Sequence, residues 1–326
     1  MIHRPFVCRL TVLVGLTLAA AFPAVAQSDN YPSKPITLVV GYPPGGSTDL
    51  TGRTLAAELS KRLGVPVVID NVGGAGGAIG AQKVLNAAPD GYTLLSGANN
   101  EIAIAKLVSS SVKYQTSDFT PIGLIASQPM VLVASQKSGV KNIDEFIKLV
   151  KSNPGKYSFG SSGVGTALHL AGEMVNDQGG MSIMHVPYRG VAPLANDLLG
   201  NTLDFGVFVL SSGLPHIKSG RVVALGLTEA KRSAAAPDIA PLSDNPKLAG
   251  MDIGVWFALM GPAKLPEPIV AKLKKALTES LQSPELRKKL EDSGSTIAAP
   301  NVDMNAFLKG EVAKYQKIVD FAKIKE

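Results

Sequence analysis

Cysteine occurs once in the 326 residues, at Cys8. Everything after it can therefore hold no disulfide, no thiolate metal site and no cysteine nucleophile. Histidine is nearly as scarce. Beyond His3 there are only His169, His185 and His216, none at ligand spacing from another, and no HExxH occurs, so no metal site is expected. Charged residues are 18% of the chain, below the quarter or so usual in soluble domains, and aromatics are 6%. The net charge of +6 is spread among interleaved acids and bases without a basic block. That argues against nucleic acid as a partner, while the overall field favours anionic small molecules. Cofactor loops are missing too. The pair Gly155-Lys156 is followed by Tyr157, so there is no Walker loop, and the glycines of 73–80 lack GxGxxG spacing. Gly160-Ser-Ser-Gly163 is followed by Val164 and does not make a GxSxG elbow. No cofactor is expected.

Long apolar runs are also absent, with one exception. Residues 10–22 are apolar, follow Arg4 and Arg9, and precede Ala24-Val25-Ala26. This is the three-part pattern of a cleaved export signal over 1–26, with Gln27 as the new N-terminus. The run is too short for a membrane span, which needs about 20 residues. Without the signal the chain keeps 30 basic and 26 acidic residues. An exported chain with no disulfide suits a bacterial periplasm.

What is present is a repeated strand–turn–helix pattern. Strands are predicted at 36–40, 65–69 and 92–95, with helices over 48–63 and from the glycine-rich loop to about residue 87. A second set has strands at 131–134, 157–160, 182–186, 203–209 and 223–227, and helices over 143–152, 163–177 and 192–199. The tail, 268–282 and 305–322, is helical and amphipathic. The pattern predicts an α/β fold, a parallel sheet with helices on both faces. The chain divides into two α/β domains, 27–126 with 229–326, and 127–228. Strands near 123–135 and 223–228 are placed to cross a hinge between them, with a ligand cleft at the seam.

Three Gly/Ser-rich loops each lie between a strand and a helix: Tyr42-Pro-Pro-Gly-Gly-Ser-Thr-Asp49, Asn71-Val-Gly-Gly-Ala-Gly-Gly77 and Ser158-Phe-Gly-Ser-Ser-Gly-Val-Gly-Thr166. In a doubly wound sheet such loops sit where ligands bind. Unpaired N–H groups at the following helix, and Ser and Thr hydroxyls, suit a carboxylate, phosphate or sulfate. Helix capping alone is the plainer account of any single loop. His169 is one turn into its helix with Glu173 four residues on, placed to orient it. Arg189 is open to two readings, a ligand clamp or a solvated loop arginine. Ser162 with His169 is the pair that would make the chain a hydrolase instead. Trp256, in an apolar run, reads as core.

The stretches Tyr31-Pro-Ser-Lys-Pro-Ile36, Pro43-Pro-Gly-Gly-Ser-Thr-Asp49, Ala88-Pro-Asp-Gly-Tyr-Thr-Leu94, Gly160-Ser-Ser-Gly163, His169-Leu-Ala-Gly-Glu173, His185-Val-Pro-Tyr188 and Leu214-Pro-His-Ile-Lys218 occur in this order. Together they resemble the substrate-binding proteins of tripartite tricarboxylate transporters, the Bug family, from about Tyr31 to the C-terminus. The resemblance implies a periplasmic binding protein whose two domains close on a small organic carboxylate. It also implies a non-enzymatic role, a two-subunit membrane permease as partner, and a monomer. The ligand-binding set it implies, with the loop reading, is Tyr42, Gly45, Gly46, Ser47, Thr48, Asp49, Gly73, Ala75, Gly76, Ser161, Ser162, Thr166 and His169. Asn99, Asn100 and Glu101 depart from the small residues expected after the third strand, and Asn99 joins the set. Phe208 stands where many relatives carry an acid. It is expected to line the pocket, disfavour a ligand ammonium and favour a carboxylate with an aromatic or apolar body. A sensory protein that presents a carboxylate to a membrane kinase would have the same sequence features.

Overall fold

The computed structural model describes residues 30–322 and residue 324. The expected export signal lies outside the described residues. Among those residues no helix is long and apolar enough to cross a membrane.

The first half opens with β1 (Ile36–Val40), α1 (Ser47–Leu63), β2 (Val67–Asn71), α2 (Ala78–Leu85) and β3 (Thr93–Ala98). The apolar run Ile-Thr-Leu-Val-Val makes β1 a buried strand between β2 and β3, parallel to both. The helix α1 begins after Gly46, which is extended, and stops at Gly64, whose φ of 72° is left-handed. That is the conformation a glycine adopts without Cβ strain. A π-helical turn at Asn100–Ile104 leads into the short α3 (Ala105–Val108).

The long strand β4 (Thr120–Ser135) joins the two halves. The second half holds α4 (Ile143–Lys151), β5 (Ser158–Ser161), α5 (Ala167–Gly179), β6 (Met184–Pro187), α6 (Val191–Leu199), β7 (Phe205–Val209), α7 (Leu210–Lys218) and β8 (Val222–Leu227). The chain then returns through β9 (Gly254–Gly261), α8 (Glu267–Leu281), α9 (Pro284–Asp292), β10 (Thr296–Ile297) and α10 (Met304–Ala322).

The strands form one curled sheet in the order β2-β1-β3-β9-β4-β7-β5-β6, with β8 and β10 also on β4. The fold is α/β as the pattern predicts, but the sheet is mixed. Its two ends are parallel, β2-β1-β3 and β7-β5-β6, whereas β3, β9, β4 and β7 pair antiparallel. The antiparallel centre comes from β4, expected as a strand near 123–135, and from β9, which the sequence pattern does not reveal.

Along its first part β4 is flanked by β9 and β10, and from Met130 onward by β7 and β8. Thr228 stitches that change of partner. Its hydroxyl donates to the Ile253 carbonyl at 2.6 Å, its N–H to the Met130 carbonyl at 2.9 Å, and its carbonyl accepts from the Ile253 N–H at 3.0 Å. Gln128, two residues before Met130 in the same strand, is fully buried and links Ser295 to the Ser211 N–H.

Candidate functional site

Four helices start at one place. A cavity of about 50 Å³ is walled by Gly46, Ser47 and Thr48 at the start of α1, by Leu168 in the first turn of α5, by Gly190–Pro193 at the start of α6, and by Val209 and Ser212 at the start of α7. Tyr42, Asn100, Ser162, Arg189 and Val255 complete it. It adjoins a wider cleft of about 870 Å³ whose lining adds Gly73–Gly77 and Gly163–Gly165. Each helix N-terminus carries unpaired N–H groups and a partial positive charge.

The end of α1 is open. Its cap residue Gly46 has no side chain to offer, and among the described residues neither the Ser47 nor the Thr48 hydroxyl has a hydrogen-bond partner. Asp49, in the same turn, is turned away from the cavity. It accepts from Arg53, from the Gly45 N–H at 2.9 Å and from Asn71 at 2.9 Å. Burial works to raise its pKa, but these donors outweigh it and hold the carboxyl below its ordinary range.

The end of α5 is closed by the protein itself. The Thr166 hydroxyl donates to the Gly163 carbonyl at 2.8 Å and caps the His169 N–H at 3.4 Å. The Ala167 N–H donates to Asn100 Oδ1 at 2.8 Å, across 67 residues of sequence. Asn100 Nδ2 in turn donates to the Tyr42 hydroxyl at 2.7 Å, and that hydroxyl donates to the Gly76 carbonyl at 2.8 Å. One chain of hydrogen bonds thus ties α5 in the second half to two loops of the first.

The loop before α2 holds Gly74, Ala75, Gly76 and Gly77 at φ of 132°, 48°, 61° and 96°. Ala75 is the member that tolerates this least, and strain of this kind persists where surrounding structure imposes it. Glu101 lies directly beneath. A Cβ on Gly77 would fall 2.7 Å from Glu101 Oε2, which has no hydrogen-bond partner among the described residues, while Oε1 accepts from the Ala98 N–H at 2.8 Å. The carboxyl is wholly buried, and burial pushes its pKa up to about 8.

Behind the α5 loop, His169 and His185 stack with ring centroids 3.7 Å apart. The Gly165 N–H donates to His169 Nδ1 at 3.1 Å, which places the ring proton on Nε2, 3.6 Å from Glu173. His185 Nε2 is 2.7 Å from the buried Ser161 hydroxyl. Burial first, then electrostatic coupling to the stacked His169 ring, lower the His185 pKa to about 4. For Glu173 burial acts upward, but its bonds to His169 and Asn176 hold it below its ordinary value.

Of the residues expected at the site, Tyr42, Gly46, Ser47, Thr48 and Ser162 line the cavity, and Gly73, Ala75 and Gly76 line the wider cleft. The others lie outside both linings. Gly45 is exposed and serves Asp49. Ser161, Thr166 and His169 support the α5 loop from behind, their polar atoms already bonded. Asn99 turns the other way, donating to the Gly254 carbonyl and to the Tyr315 hydroxyl. Phe208 requires a correction. It is 1% exposed and packs in an apolar core with Val131, Leu194, Leu198 and Leu214. The apolar wall of the cavity comes from Leu168, Val191, Val209 and Val255 instead. Ser212 and Val255 carry no local sequence signal. Asn100 does stand out in the sequence, but its bond to α5 is long-range.

Residues 51–324 match the family model described as the tripartite tricarboxylate transporter family receptor. Protein BugT of Bordetella pertussis is 32% identical over 318 residues, covering 95% of this chain and 96% of that protein. Among solved structures, R. palustris Rpa4515 with adipate is 30% identical with a TM-score of 0.87, covering 90% of this chain and 99% of that one. MatC from Rhodopseudomonas palustris with bound malate is 29% identical with a TM-score of 0.83, over 89% of this chain and 100% of that one. The extent of these matches, from the first helix to the last, makes the chain a member of the tripartite tricarboxylate transporter receptor family, a family of periplasmic solute-binding proteins.

Proposed function

We propose that this protein captures an organic carboxylate with an apolar body in the cleft between its two halves and delivers it to a two-subunit membrane permease. The observation that carries the reading is the convergence of four helix N-termini on a cavity that no carboxylate side chain lines among the described residues. The open end of α1 supplies N–H groups, and Ser47, Thr48 and Ser162 supply hydroxyls, which together hold an anion without a buried counter-ion. Leu168, Val191, Val209 and Val255 suit the apolar body. Phe208 supplies no argument for an aromatic ligand. The adipate and malate in the two relatives are of the same chemical class.

Closure is proposed to turn about the crossing of β4 near Met130 and Thr228, with 27–126 and 229–326 moving against 127–228. The ligand shifts this equilibrium only through contacts it makes in the closed form. Turnover by a serine hydrolase is disfavoured by the same geometry. The ring nitrogens of His169 face the Gly165 N–H and Glu173, and the serine that does meet a histidine, Ser161, is fully buried.

The test is a thermal-shift screen against C4 to C8 dicarboxylates, citrate, aromatic carboxylates, aspartate and glutamate. A ligand at a hundred times its dissociation constant adds about 2.7 kcal/mol of stability. A dicarboxylate is expected to raise the melting temperature more than the amino acid of equal length, because no acid in the cavity receives an ammonium. A screen in which no carboxylate raises it overturns the reading.

A further inference from the structure

We propose that Arg189 sets the ligand specificity of this cleft: its guanidinium pairs with a second carboxylate at the cleft mouth and so selects diacids over monoacids of the same length. This rests on the carboxylate reading above and names the residue that counts the ligand's charges.

Arg189 lines both the inner cavity and the wider cleft, and among the described residues it is the one formally charged side chain in either lining. It has no ion pair or hydrogen bond within the described residues. The acid in the helix that follows it, Asp197, is already engaged by the Tyr188 hydroxyl at 2.7 Å. The carboxyls close to the cleft do not compensate it either. Asp49 is held by Arg53 and Asn71, and burial of Glu101 favours its uncharged form.

Its position is fixed at the seam. Gly190, next in sequence, has φ of 104°, and a Cβ there would lie 3.4 Å from Pro43 Cδ of the opposite half. The backbone that carries Arg189 therefore rests on the Pro43 turn, beside the open end of α1. A ligand whose first carboxylate enters the inner cavity directs its other end outward past this side chain. A guanidinium presents a planar fork that matches a carboxylate through two parallel hydrogen bonds, which a lysine does not reproduce. Because Arg189 is exposed, the pairing is open to solvent and weakens with added salt.

Titration calorimetry with succinate, glutarate and adipate, each beside its monomethyl ester, tests the assignment. The wild-type protein is expected to favour its best diacid over the matching ester by roughly tenfold. Arg189→Gln should lose about that factor for the diacid, keep its affinity for the ester, and so lose the preference. Arg189→Lys should retain part of it. Arg232→Gln, which removes a cation paired with Asp244 outside the cleft, should change neither. A preference kept in Arg189→Gln overturns the assignment, as does an equal loss in Arg232→Gln, which would credit the overall field. A wild-type protein that binds esters as tightly as diacids overturns Arg189's role and leaves the carboxylate reading standing. One that binds none of the six ligands overturns both.

Discussion

Behind the first wall of the cleft lies a buried acid, Glu101; behind the second lies a buried base, His185. The first is wholly inaccessible, keeps one oxygen without a partner among the described residues, and has its pKa pushed up to about 8 by burial. The second is stacked on another imidazole and has its pKa lowered to about 4, by burial and then by electrostatic coupling to the His169 ring. At neutral pH each group rests in its uncharged form, Glu101 through burial and His185 because burial outweighs the upward pull of the nearby Glu173 carboxylate. The contrast teaches how a receptor for anions keeps its own charges out of the way. An ionised Glu101 beneath Gly77 would repel a carboxylate, and a charged His185 would attract any anion alike. With both neutral, recognition is left to helix ends, hydroxyls and Arg189.

The acid should give the larger effect. Glu101 has a folded pKa of about 8 against an ordinary 4.5, so the folded protein holds a proton that the unfolded chain releases. Its stabilising contribution is full below pH 4.5 and is lost as pH rises through 8. Over the whole window the loss is bounded at about 5 kcal/mol, and about 2 kcal/mol of it falls between pH 6.5 and 8. Urea denaturation across that range should show stability falling, and Glu101→Gln, which keeps the oxygen that accepts from Ala98, should flatten the curve. An unchanged slope in the variant would place the lost proton elsewhere and break the comparison.

The base should act in the opposite direction and more weakly, since His185 is only half-buried. Its depressed pKa gives stability that is present above its ordinary 6.5 and lost as pH falls through about 4. His185→Gln removes the titration while keeping a partner for the Ser161 hydroxyl. Its acid limb, followed by near-UV circular dichroism between pH 7 and 4, should be shallower than the wild type's. Identical limbs would show that the stacked pair does not govern acid stability.

These two groups also show where sequence reading stops. The elements with a local rhythm were legible: the apolar run of β1, the spacing of Ile143, Phe146, Ile147 and Val150 in α4, and the tail helices α8 and α10. The strand β9 was not, because Trp256-Phe-Ala-Leu-Met260 is buried on both faces and has no alternation. The strand β4 was legible from about residue 123 in spite of Pro129, and only its first three residues, around Pro121, were not, because proline ordinarily demotes a strand. At the site, glycine-rich loops before helices are a local pattern, and they led to Tyr42, Ser47, Thr48 and Ser162. Phe208 was misplaced because β7 is buried on both faces, so its residue types do not tell which face meets the cleft. The bond from Ala167 to Asn100 joins distant segments and leaves no mark on either.

The smallest predicted effects separate the two walls at their helix ends. Thr166 caps α5, so Thr166→Ala should cost about 1 kcal/mol of stability, the usual loss for a missing N-cap hydroxyl. Because that hydroxyl lies behind the loop, the ligand's affinity per folded molecule should change little. Ser47 and Thr48 differ in that their hydroxyls bond to nothing among the described residues and stand at the open end of α1. Ser47→Ala with Thr48→Val should therefore change stability by less than about 0.5 kcal/mol and instead weaken binding roughly tenfold. Unfolding midpoints and dissociation constants measured on both variants decide the matter. If Thr166→Ala lost affinity and the α1 pair lost stability, the assignment of the first wall to ligand and the second to its own support would be reversed.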